Sequence, residues 1–499
     1  MPQSPGEPSL GIEDVLAPPS EILRVGKRLH PFEVTLVALV LIELCVLPWA
    51  FGGVDPSTQL FCAAVSACAL ALALLPRRSM GVSVDGSHRI HRMWPRLSAF
   101  PVFWAGLAIL GYVAVQSFNP SYTYRLKGTT WWLDPRAHVA WLPSGMDTPF
   151  GETNGWRVIA TWGSVWALVC ALWVGITRRT SILAILVALE VNAFAFAIFG
   201  IIQRASGAAM IYGERDVGHN DFLAAIIYRN HAAAYFSILA AVSLGLTIRA
   251  FWKARSHQDP SGPGIIQLLL SLALIVALVL SGSFAAIGLF AALLAVLLPA
   301  ASWRYSTAFR GPGGDAPVFI TAAFLVVLMC GLCIFVGYGT LRERVETFEN
   351  GGGQKAARIR LLMDERGLEM FRDRWVLGWG AGSFRYGFSK YQKREPGLSR
   401  IEGAPVRWEH AHNDWLETLI EMGALGSIPL VCASAYWIRK LIQLRLWRKL
   451  SAFPMLMGLA LLAVHSLVDF PLQNLAVLAT ASALLPLLVR WAELDGEAT

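Results

Sequence analysis

Apolar runs about as long as a bilayer is thick recur from Phe32 to Leu488, and they constrain the fold of this chain more than any other feature. A helix needs roughly 20 mostly apolar residues to cross the hydrocarbon. Within it each backbone N–H and C=O must find a partner inside the protein, which leaves helices and closed barrels. These runs are too long for barrel strands and lack period-two alternation, so they predict helices. Composition agrees: the 499 residues are 55% hydrophobic and only 15% charged. A soluble domain is usually about a quarter charged. The expected fold class is all-α, a polytopic membrane helix bundle.

Loop charge sets the expected topology. The net charge of +8 does not call for nucleic acid, because Lys and Arg gather in short loops beside the apolar runs. That is the positive-inside pattern. About twelve spans are expected, at roughly 32–51, 58–76, 100–117, 156–176, 180–202, 230–248, 264–280, 284–301, 316–338, 415–437, 453–468 and 473–489. Arg77-Arg78, Arg178-Arg179, Arg249 with Lys253, Arg304 with Arg310, and the Arg439 to Lys449 cluster mark the cytoplasmic side. The tails 1–31 and 491–499 both fall there, and the first shows no cleavable signal pattern. Spans one to nine occupy 32–338 and spans ten to twelve 411–490. Between them lies a large outside loop, 339–410, partly helical over 355–373. A second outside loop, 118–155, carries Trp131, Trp132 and Trp141, which suit an interfacial belt or a sugar platform. All seven cysteines lie in apolar runs, so Cys330-x-x-Cys333 reads as packing and no disulfide ties the outside loops. No repeat period appears, and no broken helices in matching halves.

The distinctive polar residues converge on the outer ends of the spans: Arg229-Asn230-His231, the 339–410 loop, His410 and His412, and Asp469. Nucleotides are absent from that side of a membrane, so a group donor used there must arrive already activated and membrane-borne. His412 precedes an apolar helix by two residues. The helix N-terminus disfavours imidazolium, whereas Glu409, Asp414 and Glu417 favour it, a balance that suits a general base. Such a histidine also serves as an interfacial helix cap. Arg360, Arg366, Arg372, Arg374 and Arg385 supply the planar cations that grip phosphate, or pair with Glu365, Glu369 and Asp373 as ordinary loop charges. His410 and His412 lack a fixed set of further ligands, so no metal is expected. The glycine run Gly378 to Phe384 does not join a strand to a helix, so no nucleotide fingerprint is read there. Glu43 and Glu190 are the main carboxylates inside spans, where an ionisable group is either functional or faces the bundle.

With these residues in view, the chain resembles the O-antigen ligase and polysaccharide polymerase superfamily of bacterial inner membranes. The family pattern is His, then Asn, Ser or Gln, nine residues, Gly, two residues, Gly; His412-Asn413, Gly423 and Gly426 fit it. Gln203 with Gly207, Arg229-Asn230-His231-Ala232, the helix from Arg360 to Asp373 leading into Gly378-Trp379-Gly380, and Asp469-Phe470-Pro471 resemble further family motifs in the same order. The similarity extends over roughly residues 100–490. It implies transfer of a glycan from undecaprenyl pyrophosphate to an acceptor at the periplasmic face, with inversion and with neither metal nor cofactor. The acceptor would be lipid A–core, a growing polysaccharide or a protein. Carried over, His412 would position or deprotonate the acceptor hydroxyl, Arg360 would hold the pyrophosphate, and Asn413 would orient the histidine or a sugar. His410, Arg229, Asn230, His231, Arg385 and Asp469 complete the expected substrate-binding set. Further expected partners are membrane lipid and envelope polysaccharide assembly proteins.

One position departs from the family. A second pyrophosphate-binding Arg is usual between spans seven and eight, and here Ser281-Gly282-Ser283 is followed by Phe284. Losing one of two such clamps costs on the order of a few kcal/mol in the transition state. Either Arg229 or Arg204 compensates, or the donor is held differently, or the chain is an inactive relative in envelope polysaccharide assembly. The remaining alternative is a multispan transporter or flippase of lipid-linked solutes, which would carry its ionisable groups mid-span.

Overall fold

A computed structural model describes residues 30–78, 90–128, 130–216, 222–257, 262–308, 342, 346, 351–401 and 404–496. The expected ninth span, Cys330 and Cys333 lie outside the described residues. The membrane portion begins with α1 (Pro31–Trp49), α2 (Pro56–Leu74) and α3 (Pro101–Phe118), followed by α4 (Gly155–Gly175) and α5 (Arg179–Ala205). It continues with α6 (Arg229–His257), α7 (Gly262–Leu280) and α8 (Phe284–Ala308). After α9 (Gly352–Asp373), which is too polar to count as a span, come α10 (Asp414–Gln443), α11 (Phe453–His465) and α12 (Leu475–Gly496). Among the described residues ten helices are long and apolar enough to cross a membrane, which makes this a multipass helical bundle. The expected eleventh span is shorter than its apolar run: α11 has 13 residues and stops at His465. The chain then turns through Ser466–Asp469 instead of continuing as helix.

Local chemistry starts these helices where the sequence allows. Proline occupies the first turn of α1, α2, α3 and α11, where its missing N–H costs nothing. Asn154 caps α4 by accepting from Arg157 N at 3.0 Å. α6 runs through the centre, with α5, α7, α8, α11 and α12 around it. Its side chains are almost all buried, whereas α8 and the later part of α10 turn apolar side chains outward, as lipid-facing helices do.

The intramembrane carboxylates face the bundle. Ser66 Oγ donates to Glu43 at 2.5 Å and Ser243 Oγ donates to Glu190. Glu33, in the first turn of α1, is buried. It accepts from Thr177 N at 3.1 Å, Arg178 N at 3.2 Å and Ser181 Oγ at 2.7 Å, tying α1 to the α4–α5 turn.

The loop 118–155 is not irregular. Strands β1 (Pro120–Lys127), β2 (Thr130–Pro135) and β3 (Gly145–Asp147) form a sheet in the order β2-β1-β3. β1 and β2 pair antiparallel with Arg125 opposite Trp132, and β1 and β3 run parallel. This sheet, α9, the 375–399 segment and the first turns of α10 enclose a second core of Tyr124, Met146, Met363, Met370, Trp379, Phe384, Tyr386, Phe388, Tyr391, Leu416 and Ile420. Trp131 packs against that core beneath the Arg407 guanidinium, 4.8 Å from the ring centre, so it is neither a lipid anchor nor an open sugar platform. Trp132 and Trp141 remain exposed.

Candidate functional site

α10 is not one continuous helix. At Gly423 the backbone turns to φ 66°, ψ −179°, a region open in practice only to glycine. The break strands carbonyls and N–H groups that an apolar surrounding cannot solvate. The 375–380 segment takes them up. Trp379 N and Gly380 N donate to Ile420 O and Glu421 O, each at 2.9 Å, while Ala424 N and Leu425 N donate to Trp375 O and Val376 O at 2.7 and 3.0 Å. Approach this close needs glycine on both sides: a Cβ at Gly378 would lie 2.2 Å from Glu421 O, and one at Gly423 2.4 Å from Val376 O. Gly426 lets Tyr112 of α3 pack directly against α10. The motif glycines therefore fix the docking of the second core, through the 375–380 segment, onto α10.

The glycine run 378–384 does cradle an acidic side chain, but that side chain is part of the protein. Gly382 N and Phe384 N each donate to the Glu421 carboxylate at 2.9 Å. Replacing Glu421 by Ala orphans both buried donors, and the expected outcome is a loss of about 1–3 kcal/mol in stability, read as lowered thermal unfolding in detergent.

The first turns of α10 carry the histidines to Asp469. Asn413 caps the helix, its Oδ1 accepting from Leu416 N at 3.1 Å. His412 sits just before it with φ 53°, a left-handed conformation rare for a side-chain-bearing residue. That turn brings His412 Nδ1 to 3.3 Å from Asp469 Oδ1. The carboxylate beside His412 is thus Asp469, not Glu409, Asp414 or Glu417 as expected from sequence proximity. Glu409 lies 3.3 Å from Arg385, Asp414 accepts from Leu472 N at 2.9 Å, and Glu417 holds His410 Nδ1 at 2.8 Å.

Asp469 is the hub of the cluster and is 1% exposed. Besides His412 it accepts from Asn230 Nδ2 and, at 3.0 Å, from Phe470 N. Arg360 Nη2 of α9 and His465 Nε2 of α11 each lie 4.0 Å away. Burial pushes the Asp469 carboxyl up, but the His412 hydrogen bond and the surrounding imidazoles more than offset it and hold the group below its ordinary range. A carboxyl lowered in this way contributes stability above its unfolded pKa and loses it only as pH falls through the lowered folded value. The Tyr228 hydroxyl is raised by burial and by Asp469, against the opposing charges of Arg360 and Arg229, so both cations stand near this cluster.

The expected site residues separate by partner. His412, His410, His231 and Arg385 line one cavity of about 630 Å³ together with Tyr228, Trp408 and Phe470. The Phe470 ring is its centre: His410 stacks on it at 4.8 Å, and His412 and His231 meet it edge-on at 4.8 and 5.0 Å. His231 Nε2 also bonds Phe470 O at 3.1 Å, and Asn230 donates to Tyr228 Oη at 3.0 Å, so both engage protein partners. Burial and the Arg385 charge hold the His410 imidazole well below its ordinary range. Arg385 bridges Glu409 and, at 3.7 Å, Glu152. Of the other loop cations, Arg366 pairs with Glu365 and Glu369, and Arg374 lies over Trp379 at 4.4 Å. Arg360 is the one that approaches Asp469. Phe284, Glu43 and Glu190 do not line the cavity.

Sequence reading passed over Tyr228, Phe470 and Asp364 as site residues. Tyr228 adjoins the Arg229-Asn230-His231 motif, and Phe470 lies within the Asp469-Phe470-Pro471 motif. Burial raises the Asp364 carboxyl on α9, with Asn413 and His412 acting against the shift, so it too faces the histidine end of α10. Among the described residues no group of three or more His, Cys, Asp or Glu is placed to hold a metal ion.

Chemically, the cluster is an imidazole whose Nδ1 is held by a buried carboxylate. An ionised Asp469 accepts from Nδ1–H, fixing the tautomer in which Nε2 carries the lone pair. The ring borders a cavity with further aromatic and cationic walls, and a guanidinium stands within reach of the same carboxylate.

Residues 268–431 match the family model for O-antigen ligase. The match runs from α7 into α10 and takes in Phe284, Arg360, His412 and Gly423, while Asn230 and Asp469 lie outside it. It bears out the resemblance to the O-antigen ligase superfamily and, at family level, a glycan-transfer activity with lipid-linked glycan and acceptor as partners. No curated protein matches the chain.

Proposed function

Taking the O-antigen ligase superfamily as the family of this chain, we propose that it transfers a glycan from undecaprenyl pyrophosphate to an acceptor hydroxyl at the periplasmic face of the bacterial inner membrane. The observation that carries this reading is the His412–Asp469 pair at 3.3 Å, with Arg360 4.0 Å from the same carboxylate and His412 lining the 630 Å³ cavity. In the reaction, His412 Nε2 takes the acceptor proton as the hydroxyl oxygen attacks the anomeric carbon. The bond from that carbon to the diphosphate oxygen breaks, and the anomeric centre inverts. Arg360 and Arg385 meet the charge that collects on the departing diphosphate, as guanidinium groups do elsewhere. Asp469 stabilises the imidazolium that forms. No step requires a metal or cofactor. The acceptor is lipid A–core, a growing polysaccharide or a protein, and both termini are cytoplasmic. Phe284 does not remove this assignment, because Arg385 lines the cavity and Arg360 stands beside Asp469.

The test replaces His412 and Arg360 by Ala separately and follows surface glycan by gel ladder and by attachment to lipid A. The expected outcome is loss of attachment or of chain extension in both variants at normal membrane abundance. Unchanged glycan in both would contradict the reading.

A further inference from the structure

The end of the bundle opposite the His412 cavity carries a second cleft. α6 starts beside Asp469 and ends there. α10 starts at Asp414 and leads at its far end into the turn Leu446–Arg448, and α11 begins just beyond. Arg249, Trp252 and Lys253 of α6 and Arg448, Lys449 and Ser451 of the turn line a space of about 420 Å³. Its position is fixed by tight packing: a Cβ on Gly245 would lie 2.4 Å from Ser451 O.

Four of the lining side chains are cations. Arg249 rests over the Trp491 ring at 5.1 Å, and Lys449 reaches Asp495 at 3.1 Å, so these two are held in place. Lys253 and Arg448 are exposed at the rim. Asp495 also meets Arg179 at 2.5 Å, so this carboxylate is shared between two cations and leaves the cleft with an excess of positive charge. Guanidinium and ammonium groups converging on one cleft make a site for a phosphate group. The ends of membrane-crossing helices and the neighbouring Trp252 and Trp491 put it at the depth where lipid headgroups lie.

We propose that this cleft binds the phosphate of an anionic membrane lipid, as a site separate from the His412 cavity. The proposal does not depend on the transfer reaction. It is tested on the full-length protein in detergent, by native mass spectrometry with phosphatidylglycerol, phosphatidylethanolamine or inorganic phosphate added. The wild type should retain phosphatidylglycerol in preference to phosphatidylethanolamine, and Lys253→Gln combined with Arg448→Gln should weaken that retention about tenfold. Both positions are exposed, so the fold should survive, checked by an unchanged unfolding temperature. Arg439→Gln, an exposed cation near the same end of α10 but outside the cleft, should retain the lipid as the wild type does. Equal retention of the two lipids, full retention by the double variant, or an equal loss in Arg439→Gln would overturn the proposal. So would displacement of the lipid by inorganic phosphate at matched concentration, which would make the cleft a free-anion site.

Discussion

Replacing His412 by Ala lowers kcat/KM for glycan transfer by on the order of 10²- to 10⁴-fold, the range by which a positioned general base contributes. The protein is expected to stay folded, because the side chain is partly open to the cavity and its backbone turn is held by the Asn413 cap and by Asp414 N, which donates to Ser466 O at 2.9 Å. Asp469→Asn acts through the same imidazole. The amide oxygen can still accept from His412, but its NH₂ then faces the Asn230 NH₂ and the Arg360 guanidinium, which also donate. A loss of about 10- to 100-fold is expected, as for other groups that orient a working side chain. The double variant should be at most a few-fold worse than His412→Ala alone, because residues acting as one unit are not additive. Steady-state kinetics on the three variants checks this; fully multiplicative losses would separate Asp469 from His412.

Gly423→Ala is expected to be the most damaging single methyl group in the described part of α10. Two terms act together. The φ 66°, ψ −179° backbone is strained for any residue with a Cβ, at about 1–3 kcal/mol. The added atom also overlaps Val376 O at 2.4 Å and Gly378 N at 2.5 Å, both backbone atoms with no rotamer to retreat into. Relief requires the 375–380 segment to lift away, and with it the hydrogen bonds that satisfy the broken helix. The total expected loss is at least about 3 kcal/mol, seen as a sharply lower yield of folded protein and a lower unfolding temperature in detergent. Gly111→Ala in α3 provides the contrast: open space surrounds its Cβ, and it should be neutral or slightly stabilising through helix propensity. Equal tolerance of both substitutions would remove the structural account of the Gly423 position.

Much of the bundle was legible because lipid imposes one rule on every residue of a span. Hydrophobic runs placed α1 to α8 and α10 to within a few residues at most ends. They failed where the rule stops applying. α6 continues past the last apolar turn to His257. α11 ends early because Asp469 must turn back toward His412. The break in α10 reads in the sequence only as two small residues in an apolar run, since its cause lies in residues 375–380.

The site divides in the same way. His412 was visible because local order, two histidines and a cap before an apolar helix, already implies its chemistry. Asp469 was legible as a member of the expected substrate-binding set, but not as the partner of His412. Its role comes from His412, Asn230 and Arg360, which lie 57, 239 and 109 positions away in the chain and meet only in the folded bundle. The pairing of Glu421 with the glycine run crosses about 40 residues and could not be derived from either. The sheet in 118–155 is of this kind too: its strands are short, and the core they cover belongs largely to α9 and the 375–399 segment.

The most direct test of the central claim uses the purified protein in detergent with an undecaprenyl-pyrophosphate-linked glycan and an acceptor, and follows by mass spectrometry both the glycosylated acceptor and free undecaprenyl pyrophosphate. The wild type should release the two products in equal amounts in metal-chelated buffer without nucleotide, and folded His412→Ala should release neither above background. Transfer by His412→Ala at the wild-type rate would contradict the account.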